Sequence, residues 1–286
     1  MRDVLQVLLV AALVLLLGGV VYRLMFGGPS TPPLLVERVE GEVLHISAGA
    51  STNARPGQVL EPSDRVVARE GSRAVLGLGE DTRLVLHASS SVRVLGQGED
   101  GLRVELEDGR VQATVRPGAG LVGVRARDRE VRAENASFAM GIGDDNTVMV
   151  DVSVGDVALR GFGDQTALVA GQRVIASPGQ EPVVNAIPES LLLDVRWPEH
   201  VRTKEQQVIV SGRTEPGATV RIKGMAGGEK VIADTNGSFE LTVGLAEGDN
   251  ALELEAVDAL GNQRRVSWST TRDSRGPTGE FTVRPF

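Results

Sequence analysis

From Leu34 to about Ile175, apolar and polar residues alternate with period two almost without interruption. Leu102-Arg-Val-Glu-Leu-Glu is one such run, and Val148, Val150, Val152 and Val154 fall on one side of another. Arg83-Leu-Val-Leu and Ser91-Val-Arg-Val-Leu follow the same rule. Successive side chains of an extended chain point to opposite faces, so the pattern predicts strands with one face on a core and one in water. Turn-forming residues punctuate it at Glu70-Gly71, Gly79 to Asp81, Glu99 to Gly101, Asp108-Gly109 and Gly143 to Asp145. No helical period competes. The expected fold class is all-β, with a dozen or more short strands. Aromatic residues make up only 3% of the chain, so its cores must be aliphatic.

A different pattern precedes this region. Val4 to Phe26 reads VLQVLLVAALVLLLGGVVYRLMF, interrupted only by Gln6 and Arg23. A helix needs about 20 apolar residues to cross a bilayer core. Residues 1–28 are therefore expected to be a transmembrane helix that anchors the chain, or else a signal peptide that is removed. The absence of an A-x-A site after the run favours the anchor. On this reading the chain crosses a membrane once and its bulk is exported. Arg2 is offset by Asp3 and Arg23 lies beyond the run, so charge alone does not orient it.

Composition excludes several function classes. The net charge of −8 argues against a nucleic-acid partner. The absence of cysteine removes disulfides, thiolate metal sites and cysteine nucleophiles together. His45, His87 and His200 have no second histidine at metal-ligand spacing, and neither G-x-S-x-G nor a phosphate loop occurs. Gly96-Gln-Gly-Glu-Asp-Gly101 spells a dinucleotide fingerprint, but a strand rather than a helix follows it, so it reads as a hairpin loop. Asp234 to Gly237 and Asp258 to Asn262 carry oxygen ligands, yet Asp and Asn at such positions bond their own turn backbones. No catalytic residue, metal or cofactor is expected.

One internal echo stands out. Gly41-x-Val43 is followed by Gly57-Gln58-x-Leu60, and Gly155-x-Val157 by Gly171-Gln172-x-Val174, each pair of glycines 16 residues apart. Gly109-x-Val111 lies between them. The echo is either coincidence among many glycines or a repeated strand–turn unit of a β-roll or sandwich. Together with Asp64-Arg-Val, Ser72 to Leu78, Gly79 to Leu86 and Leu106-x-x-Gly109, these motifs resemble a FecR-like domain over residues 34–177. That resemblance implies an extracytoplasmic β domain of the kind that relays signals across the inner membrane, and with the apolar run it implies a single-pass inner-membrane protein with the bulk of the chain in the periplasm. Only Met1 to Asp3 precede the apolar run, so the control of a sigma factor by a cytoplasmic segment is not carried over.

Ser177 to Pro188 holds three prolines and reads as a linker. Seven strand-like runs follow between Leu191 and Trp268, the arithmetic of an immunoglobulin-like sandwich. Val210-x-Gly212-x-Thr214-x-Pro216-Gly217-Ala218, Asp234-x-Asn236-Gly237-x-Phe239 and Asp258-x-x-Gly261-Asn262 resemble a bacterial Ig-like module, placed at 189–271. The polar tail 272–286 is expected to be disordered.

The candidate binding residues are Arg125, Arg127 and Arg129. At period two they would share one strand face, either as a solvated stripe or as an anion-binding surface. The expected function is a non-catalytic, membrane-anchored binding or scaffold protein of the bacterial cell envelope, acting through envelope proteins, either in signalling or as a scaffold alone. The alternative is a glycan or peptidoglycan binder, which the scarcity of aromatic platforms disfavours.

Overall fold

A computed structural model of the chain describes residues 32–98, 101–198, 202–223 and 230–274. The proposed membrane segment and most of the proposed tail lie outside these residues. Among the described residues there are strands and turns but no helix.

The described residues of the first domain form 16 strands. They are β1 (Leu34–Glu40), β2 (Val43–Ser47), β3 (Ala50–Asn53), β4 (Arg65–Ala68), β5 (Arg73–Leu78), β6 (Thr82–Leu86), β7 (Ser90–Gly98) and β8 (Gly101–Asp108). Then follow β9 (Arg110–Val115), β10 (Val122–Ala126), β11 (Arg129–Ala133), β12 (Ala136–Ile142), β13 (Val148–Arg160), β14 (Ala167–Val169), β15 (Gln172–Ala176) and β16 (Val183–Ala186). One sheet runs β1-β5-β6-β9-β12-β13-β15-β16, and the other β3-β2-β4-β7-β8-β10-β11-β13-β14. β13 belongs to both. Its first half pairs with β12 and β15, and its second half with β11 and β14. The inward side chains of both sheets, such as Leu76, Leu84, Val104, Val124 and Val150, form one buried aliphatic cluster. Period two is thus realised as two faces on one core.

The echo is structural. Where the chain passes from β1 to β2, Gly41 has φ +75°, and the next amide, Glu42 N–H, donates to Ser72 Oγ at 2.8 Å. Where it passes from β8 to β9, Gly109 has φ +74°, and Arg110 N–H donates to Ser90 Oγ at 2.9 Å. A Cβ on Gly109 would lie 2.4 Å from the Ser89 carbonyl oxygen. Both the left-handed backbone and the close approach therefore require glycine. The two Gly-Gln turns also match. The Gln58 and Gln172 side-chain carbonyls accept from the Arg55 and Val169 amides, each at 3.1 Å. Gly57 and Gly171 N–H donate to Val36 and Val152, each at 2.8 Å. β7 and β8 pair antiparallel up to Gly98 and Gly101, so strand lies on both sides of the fingerprint-like sequence.

The second domain is a sandwich of a three-stranded and a five-stranded sheet. Its strands are β17 (Leu193–Arg196), β18 (Arg202–Thr203), β19 (Gln207–Thr214), β20 (Thr219–Lys223), β21 (Lys230–Ile232), β22 (Ser238–Gly244), β23 (Gly248–Val257) and β24 (Gln263–Arg272). The sheets run β17-β19-β22 and β18-β24-β23-β20-β21 around Val210, Val220, Leu241, Leu254 and Ala256. Among the described residues, seven of the eight strands coincide with the runs read from sequence. β18 was not anticipated, because two residues carry no periodicity.

The linker expectation needs correction. Within Ser177 to Pro188, β16 pairs with β15 and extends the first domain's sheet to Ala186. The prolines flank the strand rather than interrupt it, so they do not prevent an edge strand from forming. The first and second domains together form one compact unit.

Candidate functional site

Period two places Arg125, Arg127 and Arg129 on one face; the structure separates them. Arg127 sits at a hairpin tip with φ +57°, and Ala126 pairs with Arg129. The chain reverses between the second and third arginine, so alternation counted along the sequence no longer describes one face. Arg125 points outward, with its Nη2 2.8 Å from Glu105. Arg127 donates from Nε to Asn146 Oδ1 at 2.9 Å and from Nη1 to the Glu107 carbonyl at 2.8 Å, which pins the tip to its neighbours. The Arg129 side chain is only 12% exposed and lies over the Phe162 ring, 5.9 Å from its centroid. A sequence signal for the reversal exists. The apolar positions are even at Val122, Val124 and Ala126 but odd at Val131 and Ala133.

Arg125 belongs to a wider charged row. Register aligns Arg65 with Arg93, Arg93 with Glu105, Glu105 with Arg125, Arg125 with Glu130, and Glu130 with Arg160. Glu105 accepts from Arg93 and from Arg125. Burial alone would push the Glu105 carboxyl up, but the bonds from Arg125 and Arg93 outweigh it and hold it below the usual carboxylate range. Glu107 accepts from Arg65 Nη2 at 2.9 Å and Ser91 Oγ at 3.0 Å. Glu130 accepts from Arg132 Nε at 2.9 Å. Beside this row, Arg103, Gly123 and Arg132 are aligned across β8, β10 and β11. Sequence reasoning missed Arg65, Arg93, Arg103 and Arg160, since cross-strand pairing brings them together from distant segments.

A second polar cluster joins the two domains. Arg173, on β15, is 2% exposed and grips Asp151 of β13 with Nε–Oδ1 at 2.6 Å and Nη2–Oδ2 at 2.7 Å. Its Nη1 faces Oδ2 of Asp258, from the second domain, at 3.6 Å; that carboxylate side chain is 0% exposed. Asp258 also accepts from the Asn262 amide and side chain, each at 2.8 Å, so its turn role is real but not its whole role. Burial pushes Asp258 up, against the bonds from Asn262 and the charge of Arg173. Burial likewise raises the Glu215 carboxyl. Glycines let the backbones meet. A Cβ on Gly141 would lie 2.2 Å from the Ala259 carbonyl oxygen, and one on Gly261 1.0 Å from Arg110 Nη1. At the rim, Asp144 accepts from Lys230 Nζ and Thr219 Oγ1, both at 3.0 Å. A cleft of 370 Å³ between the domains has the paired Asp144, Thr219, Lys230 and Asp258 in its lining.

His45 is a third site the sequence did not single out. It is buried, with Nε2 2.8 Å from Asp64 Oδ2 and Nδ1 2.6 Å from Gln58 Nε2. Both ring nitrogens are thus occupied, one by Asp64 and one by Gln58, and the pair packs as a buried polar unit. Burial would raise Asp64, but Ser47, the Glu61 amide and His45 outweigh it and hold the carboxyl low. Asp234 caps its own turn, accepting from the Asn236 and Ser238 amides at 2.9 and 2.8 Å. Trp197 and Trp268 stack on each other, with centroids 5.3 Å apart.

Comparison with known proteins agrees with the two-part architecture. Residues 64–158 match the family described as FecR protein, and residues 196–273 match the bacterial Ig domain. No curated protein matches the chain. Among solved structures, a candidate anti-sigma factor from Parabacteroides distasonis ATCC 8503 is 21% identical over 43% of this chain, with a TM-score of 0.39. The aligned part spans 59% of that protein's length. A 1.5-MDa bacterial ice-binding adhesin aligns over 86% of this chain and 87% of its own, at 13% identity and a TM-score of 0.20.

Proposed function

The chain carries a FecR domain followed by a bacterial Ig domain, and from that premise we propose a non-catalytic binding and scaffold protein of the bacterial cell envelope. On this reading the apolar segment at residues 4–26 holds it in the inner membrane as a single span, and both β domains work in the periplasm. The protein acts by presenting surfaces to protein partners, and envelope signalling is the process such contacts would serve. The observation that carries the reading is the Arg173–Asp151–Asp258 cluster, which fastens the Ig domain to the FecR domain. A body whose two domains are held in one arrangement suits a scaffold, whereas a hinged spacer would leave each to act alone. The two tryptophans stack on each other and pack against the Ig core, which leaves less aromatic surface for a glycan binder to use.

The test is cross-linking in intact cells, set against co-sedimentation with purified sacculi. Discrete protein adducts, with no retention on bare sacculi, are the expected result. Retention on sacculi without any protein adduct would replace the scaffold reading with a peptidoglycan binder. Intact mass after membrane extraction checks the anchor: a start near Gly27 to Ser30 would show that the segment is removed.

A further inference from the structure

The outer face of the sheet that contains β4, β7, β8, β10, β11 and β13 is basic in an otherwise acidic chain. Arg65, Arg93, Arg103, Arg125, Arg132 and Arg160 point outward from it, against Glu105, Glu107, Glu130 and Asp156. The whole chain carries −8. Glu105 and Glu107 are each shared between two arginines. Arg103 and Arg160 are exposed and have no carboxylate partner among the described residues. Donors also outnumber acceptors atom by atom. The Nε groups of Arg65 and Arg93 lie 2.6 and 3.1 Å from Glu107 oxygens, yet neither makes a directed hydrogen bond. Gly123 leaves bare backbone between Arg103 and Arg132, and Glu130 Oε1 leans over it, 3.2 Å from where a Cβ would stand. That floor already accommodates a carboxylate.

We propose that this face docks an acidic segment of a protein partner, whose carboxylates bind Arg103, Arg125 and Arg160. Guanidinium groups bind carboxylates in a fork; among the described residues Arg103 and Arg160 have no carboxylate to exchange, and Arg125 keeps donors beyond the one it gives Glu105. The four carboxylates interspersed on the face repel a continuous run of phosphates. A peptide with spaced carboxylates avoids them, and the half-buried Val67 and Leu95 offer its neutral residues apolar contact.

The proposal deepens the scaffold reading and rests on it. The experiment uses the purified full chain and a fluorescent peptide of about ten residues, alternating Glu and Ser, read by anisotropy at low and high salt. Saturable binding that salt weakens is expected, with Arg103→Gln/Arg160→Gln lowering affinity about ten-fold or more. Arg38→Gln/Arg73→Gln, on the other sheet, should bind as the unaltered chain does. Hydrogen exchange on the unaltered chain should show peptide protection over β8 and β10, which keeps the test independent of any variant's folding. No binding, equal binding by both variants, or protection confined to the Ig domain overturns the proposal. So does inorganic polyphosphate binding where the peptide does not, since that marks a phosphate surface. Peptide binding without protein adducts in cells would sink the scaffold reading alone; adducts without peptide binding would sink only this face.

Discussion

At the residue scale, three arginines of equal sequence spacing have unequal roles. Arg129 is nearly buried over Phe162, whereas the Arg125 side chain is 46% exposed. Arg125→Gln should change stability by no more than about 0.5 kcal/mol, as exposed substitutions do. Arg129→Gln should cost about 1–2 kcal/mol, because it loses both a cation–π contact and stem packing. Urea denaturation of the two variants side by side checks the ordering. Asp64 makes a second case. Its carboxyl is held below the usual range in the fold, so it contributes stability above the unfolded value of about 3.9, lost as pH falls through the depressed value. Asp64→Asn should cost about 1–3 kcal/mol at neutral pH and flatten the acid limb of the stability curve. An acid limb unchanged in the variant would show that other carboxylates dominate it.

At the element scale, the first domain depends on how its strands change sheets. The β8–β9 corner needs a left-handed residue without a side chain, since Ser89 backbone and Ser90 Oγ close over Gly109. Gly109→Ala should therefore cost about 1–3 kcal/mol from backbone strain alone, with the contact to Ser89 added. Gly118, also at positive φ but with open space around it, is the control. Its alanine variant meets only the backbone penalty. Comparable midpoints for the two variants in guanidinium would remove packing from the account of the corner.

At the scale of the whole molecule, the junction decides whether there are two bodies or one. Arg173→Met takes away the cation between Asp151 and Asp258 and leaves Asp258 only the charge of Arg110, and removing one partner of a buried pair costs about 3–5 kcal/mol. Both tryptophans lie in the Ig domain, so tryptophan fluorescence follows that domain while far-UV circular dichroism follows both. In the unaltered chain the two signals should melt together. In Arg173→Met they should separate. Separate melting in the unaltered chain would mean that the domains are not energetically coupled.

The strand content, the alternation of faces and seven of the eight Ig strands were legible along the chain, because period two and turn chemistry are local properties of a few neighbouring residues. The repeated glycine units were visible too, since each packs its requirement for positive φ and a small side chain into one motif. Partners distant in sequence were not legible. Arg93 meets Glu105 across a hairpin and Arg125 meets the same carboxylate from a parallel strand, while Arg160 arrives from beyond β12; no spacing rule connects them. The β10–β11 reversal shows how one turn overrides a pattern: the parity of the valines changes there, while the arginines keep their period across it. The docking of the Ig domain was the furthest from view. It depends on Gly141 meeting Ala259 and Arg173 meeting Asp258, surfaces that exist only after each domain has folded.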